Sequence, residues 1–420
     1  MKPIGRPEDL DAGGGHMRNR SLGLTLLSGL AIIVSACGSG ASPSTSVSPT
    51  PTSGSTDATA SPAATPSPWK IGVHTDVGSI DDKNFNQYSY AGAVDGAAAI
   101  GAEKPPYIVP KDISELPAGL QSFIDEGRNI IVVNGFNAVP EVVKFAKANP
   151  EVWFIGVDHD PCIDAEGLPD ADFGGPGQGG ACVGYANWPT LLPNYIGLNY
   201  QEDQVGYLAG IAAAKATKSN VIGAVGGITL CGPCVRYMQG YVLGAKSVNP
   251  DITVKVGWVT ESDFTRAFYD PAYGKTYTQQ LLAQNPGMDV VFQVAGATGN
   301  GAIDAACEAG IGAIGVDVDQ YLSYPAGADC IITSATKSLQ KSVADQIVAI
   351  ADGTAKGGKL IYDASIDGVG YAPLRDWEAK LPSDTLSLIE AAFAEMKAGT
   401  LVTCPAAPEC GLVPAPKIGD

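Results

Sequence analysis

Between residues 69 and 400 two hydrophobic patterns alternate along the chain. Short runs in which nearly every position is apolar, and often β-branched, cover 69–75, 130–134, 152–158, 195–198, 221–225, 253–259, 289–294, 313–317 and 330–333. Between them, alanine and other apolar residues recur at helical spacing over 90–100, 116–126, 139–148, 202–215, 234–247, 275–285, 301–309 and 338–351. The first pattern predicts strands buried on both faces, the second predicts helices with one apolar side. Strands without polar alternation, each followed by a helix, imply an α/β fold of parallel sheets covered on both sides. The body is long for a single core, and two βα series in succession fit two similar lobes. The expected division is about 69–195 with 313–335 for lobe 1, and about 196–312 with 336–400 for lobe 2, leaving 401–420 as a tail. In such sheets ligands bind beyond the carboxyl ends of the strands, so candidate chemistry belongs in the loops that come after them.

Outside this body the pattern breaks down in two ways. Arg18 and Arg20 precede an apolar run from Leu22 to Val34 that ends in Ser35-Ala36-Cys37. The run falls short of the roughly 20 apolar residues a spanning helix needs. Basic residues, a short apolar stretch and small residues together predict a secretory signal over 1–36, with Met17 a possible true start. A cysteine at the first position after it resembles a bacterial lipobox, which implies lipid on Cys37 and attachment to the extracytoplasmic face of a membrane. From Gly38 to Pro68 the chain is nearly all Ser, Thr, Pro, Ala and Gly. Such a segment buries too little apolar surface to offset its ordering entropy, so 37–68 is expected to be an anchor and a flexible spacer.

Composition narrows the functions available. Against 44 acidic residues stand 26 Lys and Arg, a formal net charge of −18. After Cys37 arginine occurs only at 128, 236, 266 and 375. Nucleic-acid binding, which needs clustered cations, is thereby disfavoured. Apart from Cys37 there are eight cysteines, an even number that favours disulfides in an exported chain. Proximity suggests the pairs 162–182, 231–234, 307–330 and 404–410.

The loop after the first predicted strand is the most informative stretch. It reads Asp76-Val77-Gly78, then Asp81-Asp82-Lys83-Asn84-Phe85-Asn86-Gln87. Asp82 or Asn84 can cap the following helix. Capping has no use for Phe85-Asn86-Gln87, however, because an aromatic ring beside two amides suits a flat heterocycle with polar edges.

This loop resembles the opening signature of the basic membrane protein family, nucleoside-binding lipoproteins of ABC transporters that include purine nucleoside receptor lipoproteins. Further matching stretches come in order: Phe154 to Asp158, Tyr207 to Gly210, Ile222 to Gly227, Phe268 to Ala272, Asp289 to Phe292, Gly296 to Gly301, Ile314 to Gln320 and Thr333 to Lys337. The resemblance runs from about Lys70 to Tyr371. It implies a two-lobed periplasmic-binding-protein-like (type I) fold, a purine nucleoside held between the lobes, a permease as partner, and neither catalysis nor a cofactor or metal. Phe85 matches the aromatic that stacks on one face of the base, with Phe268 expected opposite and Phe136 and Phe264 competing for that place. Asp158 matches an acceptor for the base edge, to which Asn86 also donates. Asp317 and Lys337 match groups that hold the ribose, and Gly296 allows close backbone approach. Asp81 and Asp82 complete the expected ligand set.

Cys231-Gly232-Pro233-Cys234 departs from the family and has the spacing of a thioredoxin active site. A structural disulfide is the expectation, and a thiol–disulfide oxidoreductase the alternative. The segment from Cys162 to Cys182, which begins just past Asp158, is expected to be a disulfide-closed loop rather than a metal site. A ligand-dependent sensor using the same cleft is a third reading.

Overall fold

The computed structural model of the protein describes residues 67–170, 175 and 179–404. The expected signal, Cys37, nearly all of the spacer, Cys410 and the tail from residue 405 lie outside the described residues. Among the described residues, twelve strands form two six-stranded sheets. In the first, β1 (Ile71–Thr75), β2 (Tyr107–Ile108), β3 (Ile130–Asn134), β4 (Trp153–Val157) and β5 (Tyr195–Tyr200) are joined by β11 (Gly358–Tyr362), in the order β2-β1-β3-β4-β5-β11. In the second, β6 (Val221–Ile228), β7 (Thr253–Thr260), β8 (Val290–Val294), β9 (Gly312–Asp317) and β10 (Ile331–Lys337) are joined by β12 (Val369–Tyr371), in the order β7-β6-β8-β9-β10-β12. The two orders are the same, one lobe repeating the other. Every pairing is parallel except β10 with β12.

Every run expected to be a strand is one, because a fully buried parallel strand must be apolar on both faces: β1, β3, β5, β8 and β9 are buried at every position. The three unexpected strands lie at sheet edges. β2 has two residues, β12 has three, and β11 is buried only at Gly358, with Lys359 and Ile361 exposed. The expected lobe boundaries need correction. Residues 196–198 pair with β4 and 196–200 with β11 in the first sheet, whereas β9 pairs with β8 and β10 with β9 in the second. Residues 313–335 thus belong to lobe 2, since each strand extends the ladder of the strand before it. The chain crosses between lobes three times, after β5, after β10 and between β11 and β12.

A helix begins at each of the first two crossings. Glu202–Ala216 packs along Gly232–Val248 so closely that a Cβ at Gly206 would sit 2.2 Å from the Tyr237 carbonyl oxygen, and one at Gly240 2.1 Å from that of Asp203. Only glycine permits that approach, which brings Glu202 beside Arg236. After β10 the helix Leu339–Ala351 returns to pack on Phe85–Ala99 of lobe 1, with Gly92 and Gly96 facing Gln340 and Ile347. Among the described residues no helix is long and apolar enough to cross a membrane. Three of the expected disulfides are formed: Cys162–Cys182, Cys231–Cys234 and Cys307–Cys330.

Candidate ligand site

A cavity with about 620 Å³ of empty space, its mouth included, lies where the carboxyl ends of both sheets meet. Its lining includes Phe85, Asn86, Phe136, Asp158, Phe268, Gly296, Asp317 and Lys337, along with Asp76, Asp82 and Tyr237.

Asp158 follows β4 and Asp317 ends β9, the fourth strand of each lobe, and both adopt left-handed backbone, with φ of 62° and 63°. A non-glycine residue there is strained, and the turn throws its carboxylate over the sheet end instead of along the strand. Lys337, the last residue of β10, reaches between them. Its Nζ donates to Asp158 at 2.8 and 3.0 Å, lies 3.0 Å from Glu202 Oε1 and 3.6 Å from Asp317 Oδ1. Glu202 also accepts from Arg236 Nε at 2.6 Å, and Asp317 from the Tyr237 hydroxyl at 3.2 Å. The ammonium further sits 5.6 Å from the Phe85 ring centroid, 5.1 Å from that of Tyr200 and 5.4 Å from that of Tyr237, within cation–π range.

Lys337 is 7% exposed and Glu202 fully buried, so only mutual pairing makes these charges tolerable. Burial alone would lower Lys337, but its carboxylates outweigh burial and hold it well above the usual lysine range. For Glu202, burial is likewise outweighed by Arg236 and Lys337, which hold it below its usual range. Burial raises Asp317, with Lys337 opposing, and pushes Asp158 up to about 7 against the pull of the same cation. Fully ionised, the three carboxylates exceed the two cations by one negative charge. The cluster is therefore rich in acceptors and suits a ligand bearing O–H and N–H donors.

Lobe 1 adds a second pair of buried acids. Asp76 accepts from the amides of Val77 and Asn137 at 2.6 and 3.3 Å, and burial pushes it up to about 7. Gly135, at φ 96°, leaves room for it; a Cβ there would lie 2.1 Å from the carboxyl. Asp82 accepts from the amides of Asn84, Asn86 and Gln87, capping Phe85–Ala99, and burial pushes it up to about 6. The Asn86 amide donates to the Val77 carbonyl at 3.1 Å and accepts from Asn134 at 3.3 Å, which holds it in lobe 1. Phe136 meets rings of lobe 2, with centroids 6.0 Å from Phe264 and 6.1 Å from Phe268.

Most of the expected site residues are thus brought together. Asp81 is not: it is exposed, paired with the Ser79 hydroxyl and outside the cavity lining. Phe264 is half-buried behind Phe136. Lys337, expected to balance Asp317, lies nearer Asp158 and Glu202. Sequence reasoning missed Glu202, Arg236, Tyr237 and Asp76. The signals for Glu202, Arg236 and Asp76 were an acid opening an alanine-rich helix, one of the four arginines after Cys37 set inside another helix, and the loop's first acid, whereas Tyr237 had none. Cys231, Pro233 and Cys234 line the cavity too, and with the two cysteines 3% and 6% exposed the disulfide offers little to an attacking thiolate. Among the described residues no group of three or more His, Cys, Asp and Glu is arranged to hold a metal ion.

Comparison with known proteins places this arrangement. The family model described as ABC transporter substrate-binding protein, PnrA-like, matches residues 70–387. The ABC transporter nucleoside-binding protein BmpA of Lactococcus lactis subsp. cremoris is 27% identical over 354 residues, covering 79% of this chain and 90% of that protein. Basic membrane protein A1 of Borrelia garinii subsp. bavariensis is 29% identical over 300 residues, covering 70% and 76%. Among solved structures, an ABC transporter solute-binding protein from Aeropyrum pernix K1 superposes with a TM-score of 0.65 at 22% identity, covering 81% of this chain and 95% of that one. The fold is that of two-lobed periplasmic binding proteins, and the chain belongs to the PnrA-like (Bmp) family of ABC transporter substrate-binding proteins, which bind solutes and are not enzymes.

Proposed function

We propose that this substrate-binding protein captures purine nucleosides between its lobes and presents them to an ABC permease, held near the membrane by lipid on Cys37 and a spacer over 38–68. One observation carries the reading: a single cavity joins aromatic rings from both lobes, Phe85, Phe136 and Phe268, to the acceptor-rich cluster of Asp158, Asp317 and Lys337. Rings suit a flat base, with stacking worth about 1–3 kcal/mol per base. Carboxylates suit ribose hydroxyls and base N–H groups, at about 1.5–3 kcal/mol per hydrogen bond to a charged group. A relative whose name states nucleoside binding supports the same choice. Phe85 and Phe268 take the two faces of the base, Asp158 its polar edge, and Asp317 with Lys337 the sugar.

Isothermal titration calorimetry with inosine, guanosine and adenosine tests this. The expected result is saturable one-to-one binding of at least one of them, with the nucleoside recovered unchanged. Silence from all three, or release of free base, would refute it.

A further inference from the structure

The lobe 2 wall of the cavity is closed by a feature that capture of a nucleoside does not by itself require. Cys231, Pro233 and Cys234 form it, at the turn after β6 and the start of the helix Gly232–Val248. A helix start ordinarily offers unpaired amides at the positive end of its dipole, which makes it a natural phosphate site. Here the two cavity-lining positions of the first turn, 233 and 234, offer no free donor. Pro233 has no N–H. The Cys234 amide donates to Cys231 Sγ at 3.1 Å, and the Val235 amide to the Cys231 carbonyl at 3.0 Å. The Cys231–Cys234 bond closes the same three-residue step that this capping spans. One turn along the helix, Tyr237 donates to Asp317, so the capped helix start and the lobe 2 carboxylate share one side of the cavity.

We propose that the Cys231–Cys234 disulfide and Pro233 form a specificity-determining wall, one that admits a neutral nucleoside and refuses its phosphorylated form. The inference rests on the nucleoside reading above. A phosphomonoester brings a charge of about −1.5 to −2 at pH 7 and three acceptor oxygens that need donors. The cavity answers with Asp158, Asp317 and, at Pro233 and Cys234, a helix start with no donor to spare. The charge of Lys337, the cation that lines it, is already offset by Asp158, Glu202 and Asp317, so it can meet a ribose hydroxyl but leaves no net positive charge for a phosphate. A dianion desolvated there finds no partner.

The test compares each nucleoside with its 5′-monophosphate by calorimetry on the wild type, Cys231→Ala/Cys234→Ala and Pro233→Ala, with circular dichroism and melting curves to check folding. The readout is the ratio of the two dissociation constants. In the wild type the monophosphate is expected to bind about 100-fold more weakly or worse. Each amide returned to the cavity is expected to cut that ratio about tenfold, the scale of one hydrogen bond to a charged group. Pro233→Ala keeps the disulfide, so it carries the test if the double variant does not fold. Wild type that binds nucleoside and monophosphate alike overturns this inference alone, as does an unchanged ratio in Pro233→Ala. Wild type that binds no nucleoside overturns the proposed function and this inference with it.

Discussion

The two lobes repeat one strand order and place an aspartate in left-handed backbone after the same, fourth strand, yet they are furnished differently around the cavity. Lobe 1 follows its first strand with Asp76, Asp82 and Asn86, acids and amides bound back into their own loop. Lobe 2 follows its first strand with a proline and a disulfide. The aspartates diverge too: Asp158 is doubly paired with Lys337, whereas Asp317 holds a tyrosine hydroxyl and only a longer contact to the same lysine. A duplicated architecture thus supplies equivalent positions, and local side chains decide which end is polar and which is walled off. Because Lys337 comes from a lobe 2 strand and pairs with a lobe 1 aspartate, it ties the two halves together at the crossing where it stands.

The strongest way to break this pairing is Lys337→Met. It leaves Asp158 and Asp317 buried without their cation, and removing one partner of a buried ion pair costs about 3–5 kcal/mol. Urea denaturation at pH 7.5 is expected to show a loss of that size; a loss under about 1 kcal/mol, typical of exposed pairs, would mean the cluster is better hydrated than its burial indicates. Next come the rings. Phe85→Ala and Phe268→Ala are each expected to cost about 1–3 kcal/mol of nucleoside affinity by calorimetry, while Asp81→Ala, outside the cavity, leaves affinity unchanged. A loss confined to Phe85→Ala would make Phe268 a packing partner of Phe136 and assign base stacking to lobe 1 alone.

The smallest effect concerns protons. Asp76 and Asp158 are raised to about 7, so the native state holds protons that the unfolded chain has lost, and stability falls as pH rises through about 7. Below pH 6.5 the buried His74 and His159, lowered by burial to about 4 and about 3, pull the other way, since the unfolded chain then takes up protons they refuse. Between pH 6.5 and 7.5 the two aspartates outweigh the fading contribution of the histidines, and the net loss is expected to be about 0.5–1 kcal/mol. Melting curves of Asp76→Asn should show a shallower slope there, and an unaltered slope would return the effect to Asp158 and the cluster between the lobes.

Whether a feature is legible in the sequence depends on how it is encoded. Buried parallel strands announce themselves because both faces are apolar, as β3 and β8 do. Edge strands such as β2 and β12 are held by few ladder bonds and carry no such signature. The lobe boundary falls elsewhere than expected because sheet membership depends on which strand the next one pairs with, and the sequence of β9 would serve either sheet. Phe85, Asp158, Asp317 and Lys337 were legible through their motifs. Glu202 and Arg236 were not, since their meaning comes from two helices brought together by glycines at 206 and 240. Asp82 has a mundane duty, capping a helix, beside its place in the cavity wall. Only the folded arrangement separates those two uses of one carboxylate.

The triple crossing also dictates an order of assembly. β11, which completes the lobe 1 sheet against β5, lies at residues 358–362, after every parallel strand of lobe 2. A chain delivered from its N-terminus must make nearly all of lobe 2 while β5 keeps a bare edge of unsatisfied N–H and C=O groups. The lobe synthesised first is therefore finished late, and its open edge is where misassembly between nascent copies would begin.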